Sequence, residues 1–206
     1  MGEAVAVVDI GRGNLLSVCN ALEYTGAKVT VCERPDDMAG ADRIVVPGVG
    51  SFGDGMRSLG TRGFVGPLEQ ARADGRPILG ICLGMQLFAA LGHEGGDTPG
   101  LAWFDAEVVR LPAVGLRIPH VGWHDTSIRA DSPLFKGLPE VPDFYYLHSY
   151  HLVPKDPEVV DASCDYGGTV VAAVRHDNVA AVQFHPEKSQ DYGLALLENF
   201  SAWQPC

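Results

Sequence analysis

Cys82 stands between Ile81 and Leu83, with Gly80 before them and Gly84 after. This glycine-x-nucleophile-x-glycine order is that of a strand-to-helix elbow, in which small residues allow a tight turn and lift the nucleophile above a sheet edge. A cysteine so placed lies at a helix N-terminus, where the dipole and free N–H groups favour thiolate. The N–H of Leu83 is then available to an oxyanion. The same residues also suit a buried core cysteine between two packing glycines.

A thiolate that performs acyl transfer needs a base that later protonates the leaving group, and the base needs an orienting partner. Seven histidines compete for that role. His185 stands out because it ends the apolar run Val179 to Phe184 and is followed by Pro186 and Glu187. A strand end would present imidazole and carboxylate side by side, with Glu187 fixing the tautomer and stabilising imidazolium. Taken alone, His-Pro-Glu reads as a surface turn.

The first half of the chain supplies elements that could position these groups. Val5 to Asp9 reads as a buried strand, and Asn14 to Thr25 as an amphipathic helix with Leu15, Val18, Cys19 and Leu22 on one face and Gly26 as its C-cap. Strands follow at Lys28 to Cys32 and Arg43 to Val46, then a glycine-rich loop from Pro47 to Gly53. A helix is expected near Met56 to Ala73, with a break at Gly63 to Pro67, and a strand from Pro77 to Ile81. Met85 to Leu91 has helix formers with an apolar face. This alternation is the signature of βαβ units around a parallel sheet.

Beyond Pro99 the texture becomes extended, at Glu107 to Leu111, Phe144 to Val153, Thr169 to Arg175 and Val179 to Phe184. The link from Arg175 to Val179 is too short for a helical crossover, so part of this sheet is antiparallel. Tyr192 to Trp203 closes the chain as a helix. No repeat, low-complexity segment or linker interrupts the 206 residues, which reads as one domain spanning 1–206.

Composition narrows the function. A net charge of −11 with no basic run argues against a phosphate-backbone partner. Five scattered cysteines without a CxxC pair fit a reducing compartment, and the start of the chain lacks the basic region of a signal peptide. A cytoplasmic location is the expectation. His120-x3-His124 and His148-x2-His151 invite a metal reading, but no cysteine or carboxylate spacing completes a site, so no metal is expected.

Taken together, GICLGMQ (Gly80 to Gln86) and QFHPEKS (Gln183 to Ser189) resemble the paired signature of class I glutamine amidotransferases. PGVGSFGDGM (Pro47 to Met56) is similar to a third block of that family. DIGRGNL (Asp9 to Leu15), PHVGW (Pro119 to Trp123) and YLHSY (Tyr146 to Tyr150) resemble the branch that serves as glutaminase subunits of imidazole glycerol phosphate synthases. The likeness runs from Val7 to about Phe200.

The resemblance implies a flavodoxin-like α/β fold, a mixed and mostly parallel sheet flanked by helices with added antiparallel strands. It implies a cofactor-free glutaminase that passes ammonia to a cyclase subunit in a heterodimer, for histidine biosynthesis. By that matching Cys82 is the nucleophile, His185 the proton carrier and Glu187 its orienting group. Leu83 and Val49 supply the oxyanion amides, with Gly48 and Gly50 easing a peptide flip. Gly50, Gln86, Glu94 and the backbone around Ser149 contact the amino acid's polar groups, although Gln86 also reads as an exposed helix residue and Glu94 as a solvated loop residue. His120, Trp123 and His124 lie where the partner docks, and Trp123 could equally be a core aromatic.

Two departures stand out. The family block usually continues Gly-Trp-Asn where this chain has His124, and the opening block often has Tyr where this chain has Ile10. They keep open a related subunit that supplies ammonia for amidation of a sugar. A stand-alone cysteine hydrolase on a similar scaffold, or a binding module with a dead triad, are the alternatives of other classes.

Overall fold

The computed structural model describes residues 2–11, 13–112 and 114–205. Met1, Arg12, Ala113 and Cys206 lie outside the described residues, Arg12 within the opening block and Cys206 among the five cysteines.

The chain begins with β1 (Ala4–Val8), α1 (Leu15–Tyr24), β2 (Lys28–Cys32), β3 (Arg43–Gly48), α2 (Phe52–Thr61), α3 (Val65–Ala73) and β4 (Ile78–Cys82). Asn14 caps α1 by accepting the Ser17 N–H, and Val18, Cys19, Ala21 and Leu22 form its buried face. The expected break falls between α2 and α3, where Gly63 takes φ 76.

Next come α4 (Leu83–Leu87), β5 (Ala89–Gly92), β6 (Thr98–Pro99), β7 (Phe104–Arg110), β8 (His120–Asp125), β9 (Ser127–Ile128), β10 (Asp143–His148) and β11 (Tyr150–Pro154). The chain finishes with β12 (Val160–Asp165), β13 (Thr169–His176), β14 (Val179–Val182) and α5 (Gln190–Ala202). An eight-stranded sheet runs β2-β1-β3-β4-β14-β13-β12-β9. From β2 to β14 its neighbours are parallel, and β13, β12 and β9 add antiparallel partners. Hydrophobic clusters cover its two faces, and β4, wholly buried, lies between β3 and β14. Cys82 and the residues that follow β14, His185 among them, therefore emerge from adjacent strands.

Two expectations need correction. The helix expected over Met85 to Leu91 starts at Leu83 and ends at Leu87, and Ala89–Gly92 is a strand paired with β7. The reason is local: N–H groups of Leu101 and Trp103 take the carbonyls of Leu87 and Phe88 that a longer helix would use. The single extended run expected over Phe144 to Val153 is two strands meeting at Ser149, β10 against β8 and β11 against β7.

Candidate active site

Cys82 ends β4 with φ 55 and ψ −106, a backbone state that costs a non-glycine residue about 1–3 kcal/mol. The neighbouring glycines make this turn possible. A Cβ on Gly84 would overlap the Val46 carbonyl oxygen, and one on Gly80 would sit 2.6 Å from the Phe88 ring. The elbow is thus locked by packing, and Cys82 is 6% exposed. Its sulfur lies 3.8 Å from both the Leu147 carbonyl oxygen and Gln183 Nε2.

His185 follows the end of β14 and is clamped to β10. Its N–H donates to the Tyr145 carbonyl at 2.9 Å. Ser189 Oγ donates to the His185 carbonyl at 2.7 Å while accepting the Tyr145 N–H at 3.0 Å. Phe184 stacks on Phe144 with ring centroids 3.9 Å apart. His185 Nδ1 stands 2.8 Å from Glu187 Oε1, so Nε2 is the nitrogen left for proton transfer. Burial opposes charge on this imidazole, but Cys82 and Glu187 outweigh it and raise its pKa to about 9. Nε2 makes no hydrogen bond of normal geometry, a contact that in unliganded sites tightens on substrate binding.

A pocket of about 300 Å³ opens beside Cys82. Val49, Gly50, Leu83, Gln86, Glu94 and Ser149 all line it, together with Pro119, Leu147, His148 and Tyr150. Gln86 is not an exposed helix residue: it is 5% exposed, and its Nε2 donates to the Tyr150 carbonyl at 2.8 Å and to Gln183 Oε1 at 3.0 Å. Its oxygen is what remains for a ligand. Glu94 is half-buried and accepts the Phe52 N–H at the start of α2 at 2.8 Å, which leaves its second oxygen available. The Ser149 carbonyl is occupied by the Leu111 N–H.

The residues expected at a partner surface separate. Strand alternation turns His120 inward, 1% exposed, with its ring stacked between Tyr146 and Tyr166 at 4.7 and 3.9 Å. His124 points the same way and bonds the Asp165 carbonyl at 2.7 Å, so the substitution seen in sequence does not project outward. Trp123 and Val121 do, at 43% and 53% exposure, with Leu147 opposite Val121 on β10. Of the two histidine pairs read from sequence, His120 and His124 meet edge to face with ring centroids 4.9 Å apart; His120 Nδ1 also meets His148 Nε2 at 3.1 Å, and His148 Nδ1 meets the Tyr150 carbonyl at 2.9 Å. A carbonyl only accepts, so His148 donates through Nδ1 and accepts from His120. Burial lowers both pKa values, to about 4 for His120 and about 3 for His148. Among the described residues, no three His, Cys, Asp or Glu side chains converge as a metal site.

Sequence reasoning gave no role to Gln183, although the strand period of two puts it on the same side as His185. Nothing in the sequence marks His148 as a pocket wall, because its position follows from the break at Ser149.

The model of the glutamine amidotransferase class-I family matches residues 6–202, and the chain belongs to that family. An imidazole glycerol phosphate synthase subunit HisH from Moorella thermoacetica is 42% identical, over 95% of this chain and 93% of its own. Its counterpart from Syntrophotalea carbinolica is 45% identical, over 95% and 98%. Subunit HisH 1 from Campylobacter jejuni is 45% identical, over 96% and 98%. Among solved structures, PurLQS from Thermotoga maritima shares the fold with a TM-score of 0.77 at 20% identity, over 97% of this chain and 98% of that one. The glutaminase domain of CTPS from Trypanosoma brucei does so at 0.65 and 18% identity, over 99% and 96%. No helix among the described residues is long and apolar enough to cross a membrane.

Proposed function

We propose that Cys82 attacks the side-chain carboxamide carbon of glutamine, with His185 moving a proton to the departing ammonia and Glu187 holding His185 in place. Attack forms a C–S bond, and collapse breaks the C–N bond to leave a glutamyl thioester. Water, deprotonated by His185, then hydrolyses the thioester to glutamate. The observation that carries this reading is the buried His185–Glu187 pair just past the end of β14, the strand beside β4 and its elbow cysteine, which opens into the pocket.

The oxyanion is received by the N–H of Leu83 and, after a flip of the peptide between Gly48 and Val49, by that of Val49. Both residues line the pocket with Gly50, whose φ of 109 only glycine adopts without strain. The α-ammonium of the substrate lies between the free oxygens of Glu94 and Gln86, and the backbone around Ser149 meets its carboxylate.

The chain works as the glutaminase subunit of an imidazole glycerol phosphate synthase in histidine biosynthesis, the role carried by the names of relatives 42–45% identical over nearly their whole length. A cyclase subunit uses the ammonia to make imidazole glycerol phosphate and aminoimidazole carboxamide ribotide. It docks on the exposed strip of Val121, Trp123 and Leu147, next to the pocket rim. One domain and a cytoplasmic location belong to this reading. In support, the main sheet takes strands from both ends of the chain, and the four described cysteines are free. The test is glutamine hydrolysis with and without the partner isolated on this chain; high turnover alone, with no partner bound, overturns it.

A further inference from the structure

We propose that Gln183 is a catalytic residue of this hydrolysis, its side-chain N–H donating to the Cys82 sulfur as the thiolate forms. The inference rests on the thioester mechanism above and adds a group to it. Gln183 is wholly buried one position beyond β14, with its backbone N–H donating to the Ala172 carbonyl at 2.8 Å. A buried amide is costly unless its polar atoms are paired, so the identity of each partner carries information.

A relay fixes which end of the amide faces the sulfur. The Tyr150 carbonyl can only accept, so the Gln86 atom 2.8 Å away is nitrogen. That nitrogen also lies 3.0 Å from Gln183, which must present its oxygen there. The Gln183 nitrogen is left 3.8 Å from Cys82 Sγ. Reversing either amide would set two acceptors or two donors against each other, beginning at a carbonyl that cannot rotate.

The Leu147 carbonyl stands 3.8 Å from the same sulfur. It accepts the S–H of the neutral thiol and repels a thiolate, whereas the amide of Gln183 attracts the thiolate. Ionisation therefore moves the sulfur from one contact to the other. His185 offers a positive charge only while protonated; Gln183 is a donor at every pH. It also serves the second half of the reaction, when water attacks the thioester, the C–S bond breaks and the electron pair returns to sulfur.

The test is site-resolved alkylation of Cys82 by iodoacetamide in the full chain, from about pH 6 to about pH 10, beside glutamine kinetics with the partner present. Gln183→Met keeps the volume and removes the donor. It should slow alkylation about tenfold or more near neutral pH, converge with the parent at the alkaline end, and lower kcat about tenfold with KM within about threefold. Gln183→Glu, which keeps the acceptor for Gln86 but sets an oxygen against the sulfur, should be slower still near neutral pH. Alkylation profiles matching the parent in both variants overturn the proposal. So does a loss of equal size at every pH, the mark of a structural role. Alkylation needs no glutamine, so its outcome stands apart from any failure of the substrate assignment, which the kinetics alone would reveal.

Discussion

Glu187 Oε1 lies 2.8 Å from His185 Nδ1, and the two side chains are only 4% and 3% exposed. A carboxylate so shielded fixes the tautomer and supports the positive imidazole, one of the two interactions that raise the His185 pKa to about 9. Glu187→Gln removes the charge and keeps the shape. We expect kcat to fall about 10²- to 10⁴-fold with little change in KM. The pH at which His185 loses its proton should also move down, read from the imidazole resonances on titration. Parental kcat and an unmoved titration would contradict the role.

Gly84→Ala tests the elbow rather than the chemistry. The added methyl meets the Val46 carbonyl oxygen, which is backbone and belongs to a buried strand. Overpacking of this kind costs about 1–3 kcal/mol or more, so the urea midpoint should drop and glutaminase activity with it. Unchanged stability would show that the close approach of the α4 turn to β3 is not a constraint.

Acid should loosen the fold through its buried histidines. Burial lowers the pKa of His120 to about 4, His148 to about 3 and His151 to about 4, against an ordinary value of 6.5. Unfolding therefore takes up protons across roughly pH 3 to 6.5, and the stability that these groups contribute, fully present above that window, is lost as pH falls through it. Urea midpoints at pH 7 and pH 5 should differ less in His151→Phe than in the parent. Equal pH dependence in the two would rule His151 out as a contributor.

Trp123 lies on the outward face of β8, 43% exposed, so Trp123→Ala should leave the isolated chain folded. If the cyclase subunit docks on this strip, the substitution weakens the complex by about 2 kcal/mol or more, as loss of a central aromatic does. Isothermal titration with the partner reads it, and unchanged affinity moves the interface elsewhere.

How far the sequence reaches is clear from particular residues. Cys82 is visible because its glycines are needed by the same turn that sets it at the pocket wall, and the hairpin from Arg175 to Val179 because its link is short. The pairing of His185 with Glu187 is open to view in the His-Pro-Glu order at a strand end, but the clamp through Ser189 to Tyr145 that holds the loop is a contact that no pattern of residue types encodes. The end of α4 at Leu87 is set by Leu101 and Trp103, distant in sequence, so local helix propensity overshoots it. His124 reads as a change at an exposed face until strand alternation turns it inward against Tyr166, at a ring distance of 5.6 Å.

The central claim is that Cys82 carries the glutamyl group during turnover. The most direct measurement is acid quenching during glutamine hydrolysis with the partner present, followed by mass analysis of the peptide containing Cys82. A glutamyl adduct on that cysteine, absent in Cys82→Ala together with all glutaminase turnover, is the predicted result. A Cys82→Ala chain that still releases ammonia from glutamine at the parental rate would contradict it.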